Sequence, residues 1–114
     1  MRNRSSLCLV SFMLSVAYAP AALSAPVTAE DLTGKTICWE NSAFGHITDT
    51  YGEGGKFSGS GGDGAWVVTP DGVKLDTEGW SLVENVQKLP DGTFTDDVTI
   101  GGRPVHSTGK YCSP

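Results

Sequence analysis

The sequence predicts an all-β domain, a small antiparallel meander of about eight strands forming a closed or half-closed up-and-down barrel. Three observations predict it. From Lys35 onward no segment carries apolar residues at helical spacing, β-branched residues alternate with polar ones in short runs, and turn residues break those runs roughly every 8–12 positions. The expected strands are Lys35–Asn41, Gly45–Tyr51, Lys56–Ser60, Ala65–Thr69, Val73–Thr77, Trp80–Leu89, Thr93–Ile100 and Val105–Tyr111.

Two Pro-Asp-Gly tripeptides set the hairpins. Thr69-Pro70-Asp71-Gly72 presets a type I turn, with proline holding φ and Gly72 free to take the left-handed conformation of a G1 bulge. That register sets Thr69 against Val73, Val67 against Leu75 and Ala65 against Thr77. Trp66, Val68, Lys74, Asp76 and Glu78 then share the opposite, polar side. Leu89-Pro90-Asp91-Gly92-Thr93 repeats the device. Around it Trp80, Leu82, Val86, Phe94, Val98 and Ile100 fall on one face, with Asn85, Gln87, Thr95, Asp97 and Thr99 on the other. The core side thus passes from odd to even positions between Thr77 and Trp80, as a bulge at Gly79 would produce. Gly52–Gly55 and Gly59–Gly64 read as loops or strand bends, the second as a mobile flap.

Ahead of these strands, Met1-Arg2-Asn3-Arg4 brings two cations and no acid, and a small-residue and apolar run follows from Leu7 to Leu23. That is the layout of a signal peptide, assigned to residues 1–25 with cleavage within 21–29 and one β-domain over 30–114. The run is too short and too polar for the roughly 20 residues of a membrane span, so no stable insertion is expected after cleavage. Removal of Arg2 and Arg4 leaves six Lys and Arg against 13 acids, a net charge of −7. Such a surface repels phosphate backbones, so nucleic acid is excluded as a partner. A monomer of periplasmic or extracellular location is expected.

Cys38 and Cys112 are the cysteines left in that domain, and in an oxidising compartment they have one intramolecular pairing. The bridge would close most of the domain into one loop and supply stability that so small a core needs. The competing use of the same residues is a metal site. Cys38, His46, His106 and Cys112 pair each histidine with a nearby cysteine, and two thiolates with two imidazoles suit zinc or copper. Export favours the disulfide, and no cofactor or metal is expected.

Gly59-Ser60-Gly61-Gly62-Asp63-Gly64 fits G-x-G-x-x-G, but the strand-like Ala65-Trp66-Val67-Val68 follows where a helix must hold the pyrophosphate. The Gly34-Lys35-Thr36 end of a relaxed phosphate-loop pattern likewise has no strand before it and no helix after it. One glycine-aspartate run resembles a calcium β-roll unit, which binds only in tandem. No serine sits in a G-x-S-x-G turn, and Asp96 and Asp97 alternate faces on a strand, so no catalytic residues and no enzyme activity are expected.

Asp31-Leu32-Thr33-Gly34-Lys35-Thr36-Ile37-Cys38-Trp39, the Gly64-Ala65-Trp66 strand and the terminal Gly109-Lys110-Tyr111-Cys112 together resemble small exported bacterial proteins of unknown function. Residues 64–79, with Trp66-Val67-Val68-Thr69-Pro70-Asp71-Gly72-Val73-Lys74-Leu75 and Glu78-Gly79, are similar to the corresponding hairpin of small periplasmic inhibitors of secreted metalloproteases. That resemblance implies an eight-stranded barrel with one disulfide, and inhibition by an N-terminal segment laid in the protease cleft. In this chain the cysteines bracket the whole domain and the tail before Lys35 is short. The expected function is an exported non-enzymatic module binding a protein or small ligand, with Trp66, flanked by Asp76 and Lys74, as the contact. Protease inhibition and metal binding are the alternatives.

Overall fold

The computed structural model describes residues 23–112, so the expected leader lies almost wholly outside the described residues. Two short elements, β1 (Ala25–Pro26) and α1 (Ala29–Leu32), precede the barrel strands. These are β2 (Lys35–Asn41), β3 (Gly45–Tyr51), β4 (Lys56–Gly59), β5 (Gly62–Thr69), β6 (Gly72–Thr77), β7 (Ser81–Lys88), β8 (Phe94–Ile100) and β9 (Arg103–Tyr111). Each pairs antiparallel with the next, and β9 returns to β2 from Ile37↔Tyr111 to Asn41↔Ser107. The sheet is therefore a closed eight-stranded up-and-down barrel with β1 as one extra strand.

Cys38 on β2 and Cys112, one residue past β9, are joined with their Cα atoms 5.2 Å apart. The bridge staples the strands that close the ring. The metal alternative fails on this point, because the disulfide removes both thiolates. Among the described residues no group of three or more His, Cys, Asp and Glu side chains is arranged to hold a metal ion.

The two Pro-Asp-Gly turns differ. At Leu89–Thr93 the expected type I turn with a bulge forms: Gly92 N donates to Leu89 O at 2.9 Å, Leu89 N donates to Thr93 O at 2.8 Å, and Gly92 has φ 88°. At Thr69–Gly72 the loop is one residue shorter, with Thr69 opposite Gly72, Val68 opposite Val73 and Trp66 opposite Leu75. The expected register there is wrong by one residue, which turns every side chain of β5 over. Burial decides it: the observed register puts the Trp66 indole inside, whereas the expected one would have put the Ala65 methyl there. Gly72 stands where its strand passes so close to the Glu84 carbonyl that a Cβ would overlap it. The change of core parity after Thr77 also needs no bulge. A two-residue loop, Glu78-Gly79, opposes Thr77 to Trp80, and Thr77 N donates to Trp80 O at 2.9 Å.

The expected flap over Gly59–Gly64 is instead the tight β4–β5 hairpin, and the Trp80 indole N–H holds its tip through Gly61 O at 3.0 Å. At the other end of the barrel, the tail that the sequence reading leaves unassigned is a plug. Thr28 and Asp31 form a reciprocal capping box that starts α1, and this single turn carries Leu32, fully buried, into the barrel end. Ala25 and Pro26 pair with Lys88 and Gln87 on the stretch of β7 beyond the reach of β6. Tyr51, Phe57, Trp66 and Phe94 fill the space above the plug, with Tyr51 packed at 5.5 Å and 5.6 Å from the Phe57 and Trp66 rings.

Candidate functional site

The residues singled out in the sequence do not converge. Trp66 is 7 % exposed and its indole N–H donates to Gly52 O at 2.9 Å, so it is core, not contact. Lys74 and Asp76 stay on the outer face of β6. His46 is exposed beside Glu40 on the β2–β3 hairpin, and His106 lies on the outer face of β9 with its Nδ1 2.7 Å from Asp97 Oδ1.

What the structure builds instead begins with a short ladder. β7 and β8 pair only from Asn85↔Asp97 to Lys88↔Phe94; beyond Asn85 the residues Ser81–Glu84 of β7 pair with β6 alone, and Val98–Ile100 of β8 pair with β9 alone. The two strands part there, and a groove of about 610 Å³ occupies the opening. Outward-facing Val83, Asn85, Thr99 and His106 line it together with the half-buried Leu82 and Val98. Ser42 closes one side: its Oγ accepts the His106 backbone N–H at 3.1 Å, and its N–H donates to His106 O at 2.9 Å. Val83 is exposed, and the backbone groups on the parted flanks face the opening without a ladder partner.

Behind this opening the barrel holds three buried carboxyls, Asp49 on β3, Glu84 on β7 and Asp96 on β8. Burial is the leading cause in each case and drives all three upward. Asp49 rises to about 6, against a smaller opposing pull from the Trp39 indole beside it. For Glu84 the neighbouring Asp96 carboxyl adds to the rise. The Tyr51 hydroxyl, fully buried, is also raised, by burial first and then by the three acids around it. Tyr51 Oη, Glu84 Oε1 and Asp96 Oδ1 have no hydrogen-bond partner. Among the described residues the buried polar ones are these three acids and Ser107, and no buried lysine or arginine balances them.

The sequence reading missed this cluster although its own parity contained it. Even positions of β7 and β8 face inward, and Glu84 and Asp96 are even; their charge, taken as solvated, hid them. No family model, curated protein or solved structure matches the chain.

Proposed function

We propose that the chain is an exported, non-enzymatic binding module that receives a protein segment or small ligand in the groove where β7 and β8 part. The early end of the β7–β8 ladder carries the reading, because it exposes unpaired backbone beside apolar Val83, Leu82 and Val98 on the barrel wall. An extended peptide satisfies such walls best, its main chain supplying the missing hydrogen bonds and its side chains the apolar contact. The His106–Asp97 pair at the rim adds a directed polar group. Export is supported by the cationic start and apolar run of the leader and by the Cys38–Cys112 bridge, a bond favoured in oxidising compartments.

The test compares two aliphatic residues on the outer wall, Val83 in the groove and Val67 on β5. Val83→Glu should reduce capture of envelope or extracellular proteins, or the NMR response to small ligands, by about tenfold or more, the effect of burying an unpaired charge at a contact. Val67→Glu should leave both unchanged. Equal binding by the two folded variants would defeat the assignment.

A further inference from the structure

We propose that the β7–β8 seam is a proton-held gate: with Asp49, Glu84 and Asp96 neutral the two strands stay together, and ionisation of the trio spreads them and widens the groove. Glu84 and Asp96 stand on the two strands that flank the opening, just where the ladder between them gives out. Asp49 lies at the end of the still shorter β3–β4 ladder, which runs only from Asp49↔Gly59 to Tyr51↔Phe57. The inward side chains of β2, β4, β5 and β6 around them, Trp39, Phe57, Trp66, Val73 and Leu75, carry no charge. On β9 Ser107 faces the cluster, while His106 on the outer face works weakly against the rise at Asp96 and neighbouring Asp97 works with it. Among the described residues no buried cation meets a carboxylate formed there; burial outweighs the opposing pull of the Trp39 indole on Asp49 and that of the hydrogen bond from Glu84 on Asp96, while Glu84 Oε1 and Asp96 Oδ1 have no partner.

Mutual repulsion of like charges in a poorly solvating interior is relieved by moving the strands apart and admitting water. The direction in pH follows from the proton count. The folded barrel keeps protons that the unfolded chain has already released, so its stability falls as pH rises. The fall begins in the ordinary carboxylate range, includes Asp49 by about pH 6, and continues as the Glu84–Asp96 pair ionises. As a control on binding, the gate rests on the groove being the binding surface; the opening itself is measured on the free protein.

Amide hydrogen exchange, corrected for the intrinsic effect of pH, should show protection at Asn85–Lys88 and Phe94–Asp97 falling about tenfold or more between about pH 5 and pH 9, the span over which Asp49, Asp96 and then Glu84 ionise, while β2–β9 amides hold. The combined variant Asp49→Asn, Glu84→Gln, Asp96→Asn should abolish that dependence. Protection that ignores pH, or a dependence that survives in the variant, overturns the gate. If the variant does not fold, a carbon-13 titration of the carboxyls in the unaltered protein decides. Midpoints above about 5 support the proposal, and ordinary midpoints near 4 overturn it.

Discussion

Tryptophan and aspartate do opposite jobs in this barrel. Trp66 and Trp80 each bury an aromatic surface and give the indole N–H to a backbone carbonyl in a neighbouring loop, Gly52 at one end and Gly61 at the other. Trp39 on β2 stands opposite Gly109 on β9, where a Cβ would run into its ring. Asp49, by contrast, is held inside against its own chemistry, with its carboxyl pushed up to about 6 from an ordinary 3.8. Its ionisation is therefore a cost to folding that Asn does not carry. Asp49→Asn should raise stability by about 3 kcal/mol at pH 8 and by almost nothing at pH 4, as read from urea unfolding at the two pH values. A gain of equal size at both would mean that the change in shape, not the charge, matters. Asp31 opposes this trend at the acid end. Its carboxyl is held below its usual value first by the Thr28 backbone N–H, so the contribution it makes is lost as pH falls through that lowered range.

At the scale of elements, the least conspicuous pieces hold the barrel end. α1 is one turn long, yet Asp31 on it accepts from Lys88 on β7 through its carboxyl, at 3.1 Å, and from the Tyr111 hydroxyl on β9 through its backbone oxygen, at 2.8 Å. Leu32 fills the space beneath, and Leu32→Ala should cost about 2–5 kcal/mol in thermal or urea unfolding. A cost under about 1 kcal/mol would show that the end is not closed by this side chain. The plug also changes what the inhibitor resemblance demands: trimming everything before Lys35 removes part of the fold along with any free tail. The sequence pattern showed all eight barrel strands because alternation and turn residues are local. It did not show α1, a single turn whose signal is one capping box in Thr28–Asp31, or the register of β5, which is decided by what Trp66 meets across the barrel. The groove was equally invisible, since where two strands part is a property of the closed sheet.

The whole molecule divides into two half-shells. β8, β9, β2 and β3 form one, joined by ladders of five to seven pairs, and β4–β7 the other, joined by ladders of four to six; the two meet along β3–β4, with three pairs, and β7–β8, with four. The Cys38–Cys112 bridge spans 74 residues of sequence but lies wholly inside the first half-shell. Reducing it should lower stability by about 4 kcal/mol through the released entropy of the unfolded chain, measured by urea unfolding with and without reductant. The exchange pattern at the β7–β8 seam should barely change. The surface charge also differs from the simple count, because three of the 13 acids sit inside the barrel.

The first half-shell is drawn from the two ends of the chain and the second from its middle. Severing the backbone once near Glu53–Gly55 and again near Pro90–Gly92 would therefore leave two pieces rather than three. The outer fragments would remain tied covalently through sulfur, and the central fragment would be kept in place only by its packing.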